Sequence, residues 1–263
     1  MKKAVLIFIL FSVLINNFIL PVEAQTARCQ WYCKHVKGHE QPSLDKSLAF
    51  IEDYQAYYID RRHTDPNADE KVIYLTFDAG YENGNVEKTL DILREQNVSA
   101  AFFILQNLIT QNTDLVKRMI AEGHLVCNHT ANHKDMSAWE DHAVLAELQA
   151  LENLYFEHIG TQMSKYYRPP EGVFSRENLV CLASNGYKTV FWSFAYPDWD
   201  NNKQMSFEKA KQIVLDNLHN GEVMLLHPTS NTNVQILADI IREARELGYR
   251  FGTLDELTGV ESR

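Results

Sequence analysis

The stretch VIYLTFDAGYENG, Val72 to Gly84, decides how this chain is read. Val72 to Phe77 is a short apolar run of β-branched, aliphatic and aromatic residues, the composition of a buried strand. It stops at an acid, Asp78, followed by Ala79 and Gly80, small residues that let another molecule come close to the carboxylate. On these residues alone Asp78 is either a turn or helix-capping carboxylate or a functional one. The position matters because α/β proteins gather their ligands at the carboxyl ends of parallel strands.

Similar runs recur along the chain: Ala100 to Leu105, His124 to Cys127, Tyr187 to Phe194, Val223 to Leu226 and Tyr249 to Thr253. Helical candidates lie between them: Val86 to Gln96, Asp114 to Glu122, Ala138 to Ile159, Ser175 to Asn185, Phe207 to His219 and Val234 to Leu247. Strand followed by helix, repeated in this way, predicts parallel strands with helical crossovers. An open doubly wound sheet and a closed or distorted barrel both satisfy the pattern. With 263 residues, 45% hydrophobic and 23% charged, one α/β domain is expected over 71–263, and there is no internal repeat. Upstream, Leu48, Ile51 and Tyr54 recur at helical spacing, which predicts a helix between Leu44 and Tyr58 inside an N-terminal extension, 25–70.

The chain begins with Lys2 and Lys3, an apolar stretch from Ala4 to Val22 interrupted at Asn16 and Asn17, and then Val22-Glu23-Ala24. This order predicts a secretory signal over 1–24, with an uncleaved membrane anchor as the alternative; on either reading the rest of the chain is extracytoplasmic. A net charge of -10 disfavours nucleic acid and anionic lipid as partners. Export makes a disulfide possible among the four cysteines, with Cys29 and Cys33 the local pair, while four free thiols remain the alternative.

The polar residues that follow the predicted strands are Asp78, His129 and His133, Arg168, Asp198 and His227. A lone acid or histidine at such a place is usually structural. So many strand ends delivering acids, bases and an arginine to one face are hard to explain by stability alone. His129 and His133 lie four apart in HTANH, so a helical turn there would aim both imidazoles at one metal. Arg168 precedes Pro169-Pro170, a rigid pair that fixes where the guanidinium points, and a carboxylate partner kept ionised is its natural use.

Taken in order, TFDAG at Thr76 to Gly80, HTANH at His129 to His133, RPPEG at Arg168 to Gly172, DW at Asp198-Trp199 and LLH at Leu225 to His227 resemble the NodB-homology polysaccharide deacetylases, carbohydrate esterase family 4. AGYENG after Asp78, RPPEGVFS and VFWSFAYPDW are similar to the delta-lactam-biosynthetic deacetylases of the spore cortex. The resemblance implies a distorted (β/α) barrel and a hydrolase that removes N-acetyl groups from peptidoglycan amino sugars, muramic acid first among them. It implies Asp78 as general base, Arg168 fixing it, His227 as general acid and Asp198 orienting His227. It further implies a divalent metal on His129 and His133, zinc ahead of magnesium, manganese or cobalt. Tyr81 would lend a backbone N–H to the oxyanion, and Trp199 and Leu225 would wall the acetyl methyl.

One departure bears on the metal. Most of the family carries a second aspartate where this chain has Ala79, which has no ligand atom. Weak binding is therefore expected, with water, substrate or a nearby acid such as Glu82 or Asp135 filling the shell. The expected partners are peptidoglycan glycan strands met by a monomer, with no protein partner evident. The competing readings are an N-acetylglucosamine or O-acetyl xylan deacetylase, and a glycan-binding protein that has lost catalysis.

Overall fold

A computed structural model describes residues 27–260 of the chain. The predicted signal over 1–24 lies outside the described residues, among which no helix is long and apolar enough to cross a membrane. The strands are β1 (Cys29–Gln30), β2 (Ala56–Tyr57), β3 (Lys71–Ala79), β4 (Ala101–Ile104), β5 (Leu125–Asn128), β6 (Tyr166–Tyr167), β7 (Val173–Phe174), β8 (Lys188–Val190), β9 (Glu222–Leu226) and β10 (Tyr249–Phe251). The helices are α1 (Val86–Gln96), α2 (Gln106–Gln111), α3 (Thr113–Ala121), α4 (Asp141–Ile159), α5 (Arg176–Ser184), α6 (Phe207–Asn217), α7 (Asn231–Glu246) and α8 (Leu254–Thr258).

The main sheet has eight strands in the order β10-β3-β4-β5-β6-β8-β2, and β9 also pairs with β3. All of these pairings are parallel. β3 is the hub, paired with β10 along Lys71–Ile73, with β9 along Ile73–Phe77 and with β4 along Thr76–Ala79. Beyond β8 the chain turns irregular but returns to β9: Ser193 N donates to Val223 O at 3.0 Å, and Leu225 N donates to Phe194 O at 2.9 Å. These bonds bring the sheet round on itself, which makes it the distorted barrel of the expectation rather than an open sheet. The predicted strand Tyr187 to Phe194 is thus regular only over its first half.

Alternation along β3 sorts its residues between two layers. Ile73, Leu75, Phe77 and Ala79 face the large outer core with Leu90, Val214 and Ile240 from α1, α6 and α7. Val72 and Tyr74 face inward with Phe103 and Cys127, and by the same period Thr76 and Asp78 point inward as well. Helix starts are set locally by Ser175, Ser206, Ser230 and Thr253, whose hydroxyls accept from backbone N–H groups in the first turns of α5, α6, α7 and α8.

The N-terminal part departs from the predicted helix. Lys46–Asp53 is a 3₁₀ helix capped by Asp45, left-handed Gln55 turns the chain, and β2 then lies parallel to β8 at the sheet edge. The apolar spacing that predicted a helix serves burial of Leu48 and Ile51 in a cluster with Trp31, Tyr58, Phe174 and Phe191. β1 pairs antiparallel with β7, so this segment straps onto the loop that follows Arg168. All four cysteines are free thiols, and burial pushes Cys33 up to about 11.

Candidate active site

Asp78 sits within β3 and not after it as expected, because pairing with β4 continues through Asp78 and Ala79. Its Oδ1 accepts from Arg168 Nη1 at 2.8 Å. Arg168 is fully buried, directly after β6, and spends its other donors on Val190 O (2.9 Å), Thr76 Oγ1 (2.9 Å) and Phe191 O (3.2 Å). The guanidinium carbon lies 4.1 Å from the centre of the Phe103 ring. Burial alone would raise the Asp78 pKa, but the charge of Arg168, followed by His129 and His227, outweighs it and holds the carboxyl below its ordinary range. The site thus contains an ionised, immobilised carboxylate.

His129 follows β5, and its Nδ1 lies 2.9 Å from the Arg168 carbonyl. A carbonyl only accepts, so Nδ1 carries the proton and Nε2 presents its lone pair, 3.6 Å from Asp78 Oδ2. Burial lowers its pKa to about 4 against the pull of Asp78, which leaves the ring neutral and able to ligate. The HTANH segment does not form the helical turn anticipated from its spacing. Thr130 and His133 both adopt left-handed φ, 72° and 53°, and Thr130 Oγ1 accepts from His133 N at 2.8 Å. This tight turn sets the two imidazoles with ring centres 5.0 Å apart.

On the opposite wall His227 follows β9. Its Nδ1 lies 2.7 Å from Asp198 Oδ1, and its backbone N–H donates to Asp198 Oδ2 at 2.8 Å. Asn233, in the first turn of α7, donates to Asp198 Oδ2 at 2.5 Å and to the His227 carbonyl at 3.0 Å. Burial alone would lower the His227 pKa, but the charge and hydrogen bond of Asp198, with a contribution from Asp78, raise it. The imidazole is held from behind by its Nδ1.

These groups share one open cavity of about 780 Å³ that Asp78, His129, His133 and His227 all line. Leu225 is buried beneath it, whereas Trp199 stands at the rim, 61% exposed, with its ring centre 6.3 Å from that of His227. Tyr81, 47% exposed, is also at the rim, and its hydroxyl accepts from Asn201 Nδ2 at 2.8 Å. Thr76, Asn233 and Thr130 hold the site together. Nothing in the sequence singles them out, because each acts through a partner distant in the chain or through a backbone angle.

The anticipated replacements for a third metal ligand are engaged elsewhere. Glu82 accepts from Gly84 N and Val86 N, both at 2.9 Å, and so caps α1. Asp135 pairs with Arg28 Nε at 2.9 Å and caps Ser137 N. Ala79 is buried in the outer core, on the face of β3 away from Asp78. Among the described residues no group of three or more His, Cys, Asp or Glu side chains is poised to hold a metal. The donor set is two imidazoles, one of them shown to be in its ligating tautomer, which fits a divalent ion with most of its shell left to water and substrate.

The barrel and this constellation define a class, and comparison with known proteins bears it out. The chain matches the polysaccharide deacetylase family over residues 65–190. It is 37% identical over 228 residues, 86% of this chain and 84% of the other, to the peptidoglycan-N-acetylmuramic acid deacetylase PdaA of Bacillus subtilis. The chain therefore belongs to the polysaccharide deacetylases, the family 4 carbohydrate esterases, and is an enzyme of that class. The structure of Bacillus subtilis PdaA superposes with a TM-score of 0.81 at 36% identity, covering 88% of this chain and 97% of that one. A peptidoglycan-N-acetylglucosamine deacetylase of Bacillus cereus is 34% identical over 197 residues, 73% of this chain and 90% of its own.

Proposed function

We propose that this enzyme removes N-acetyl groups from the amino sugars of peptidoglycan outside the cytoplasm, with muramic acid as the principal target. The observation that carries the chemistry is the pairing of opposed groups around one cavity: an Arg168-held Asp78 and an Asp198-held His227. Asp78, ionised, takes a proton from the water that attacks the acetamide carbon. His227, whose protonated form Asp198 favours, donates a proton to the departing amine. Arg168 and Asp198 do not meet the substrate; they fix the angle and charge of the groups that do. Leu225 and Trp199, which line the cavity, border the place for the acetyl methyl, and the backbone N–H at Tyr81 would donate to the developing oxyanion.

A divalent ion on His129 and His133, zinc before magnesium, manganese or cobalt, would polarise the acetamide carbonyl and stabilise charge on its oxygen. With two protein ligands it is held weakly. Muramic acid as target is supported by the likeness to PdaA, whose name specifies that sugar. The freed amine of a peptide-free muramic residue can then condense with its own lactyl carboxyl group, losing water, to give the delta-lactam of spore cortex. N-acetylglucosamine is the second reading, supported by the relative named for that sugar. Mass spectrometry of reduced glycan digests after incubation decides between them: acetyl loss on muramic acid is expected, and muramic acid left fully acetylated would overturn it.

A further inference from the structure

We infer that Glu171 is a specificity residue of the cleft, a carboxylate that favours glycans carrying a free amine beside the acetamide that reacts. This rests on the amino-sugar deacetylase reading above and assigns a charge preference to the same cavity. Glu171 is exposed and lines the cavity. Among the described residues that line it, none is Lys or Arg, and the other carboxylate, Asp78, is engaged by Arg168. Glu171 is thus the uncommitted charge on this wall.

Its backbone is unusual. Glu171 has φ 55° and ψ 9°, the left-handed region that a residue with a side chain enters at a cost and glycine enters freely. The surroundings hold it there: Trp31 N donates to Gly172 O at 2.8 Å, Gly172 N donates to Pro169 O at 3.0 Å, and Gln30 Nε2 donates to the Glu171 carbonyl. Gly172 has no room for a side chain, since a Cβ would meet Trp31 and Trp192 at 2.9 Å. The N-terminal strap therefore fixes the backbone that carries a carboxylate at the mouth of the cleft, and a carboxylate accepts from an ammonium group better than from a hydroxyl. A sugar that has already lost its acetyl group offers such an ammonium.

The test is a tryptophan fluorescence titration, since Trp192 and Trp199 line the cavity. The ligands are glucosamine oligomers, which have no acetyl group to lose, and fully N-acetylated oligomers of the same length, at about pH 6, where amines are protonated. The glucosamine oligomer should bind about three- to fivefold more tightly, the size a solvent-facing ion pair supports. That preference should disappear in Glu171→Gln and at about 1 M salt, where the Debye length is roughly 3 Å. It should persist in Glu208→Gln, which makes the same change of net charge on α6. Equal binding of the two oligomers, a preference retained by Glu171→Gln, or no binding of either at millimolar concentration would overturn the inference. Acetate release from peptidoglycan is measured in parallel, so a failure of the deacetylase reading is seen separately.

Discussion

Arg168 and Asp78 form a buried pair in which each residue depends on the other. Arg168→Met leaves a buried carboxylate without its cation, and removing one partner of such a pair costs about 3–5 kcal/mol. Urea unfolding of Arg168→Met should show that loss, and adding Asp78→Asn should recover part of the stability without recovering activity. His227 argues from pH. Its raised pKa extends its protonated range above the ordinary 6.5, so the rate should fall as pH rises past that folded value, later than a free imidazole would allow. Asp198→Asn removes the charge that outweighs burial; the alkaline limb of the kcat/KM profile should then move to lower pH. An unmoved limb would detach His227 from the acid role. Glu222 is a third case, away from the chemistry. It is fully buried with Oε1 unpartnered, and burial raises its pKa well above 4.5 despite a bond from His219 N. In the folded state it stays protonated while the unfolded chain ionises above pH 4.5, so this group costs stability as pH rises, by about 1.4 kcal/mol per unit until the folded pKa is reached. The stability difference between Glu222→Gln and wild type should widen in favour of the variant from pH 4.5 upward.

At the scale of elements, the strands and helices of the barrel were legible because their periods survive burial. Val86–Gln96 appears as predicted, and Asp78, Arg168 and His227 stand at or beside strand ends. What the sequence concealed depends on distant partners or special backbone angles. HTANH has helical spacing, yet Thr130 and His133 fold it into a left-handed turn whose end result, two converging imidazoles, is the same. The Leu44 to Tyr58 stretch has helical apolar spacing, yet it supplies a 3₁₀ helix and an edge strand because its apolar residues face Trp31 and Phe191. β8 gives way to irregular chain after Val190, and only the bonds of residues 193–194 to β9 explain how Asp198 reaches His227. The turn into β9 is similarly constrained. A Cβ on Gly221, at φ 78°, would lie 2.5 Å from the Asp60 carbonyl. Gly221→Ala should therefore cost about 1–3 kcal/mol of stability, seen as a lower urea midpoint at unchanged m, with the barrel otherwise intact.

Across the whole molecule, closure of the barrel lets groups at the ends of β3, β5 and β9 face one cavity, and the strap from β1 holds the loop that carries Glu171 against it. The two-imidazole donor set has a consequence for the purified protein. Chelation should abolish activity, added zinc should restore it at concentrations well above those that saturate a three-ligand site, and His133→Ala should lose metal while remaining folded. Acetate released from purified peptidoglycan by wild type and by Asp78→Asn, with zinc present, tests the central account most directly. The wild type should release acetate, and the variant should release it about 10²–10⁴-fold more slowly, the range of a lost general base. Equal release by the two proteins, or none from the wild type, would contradict it.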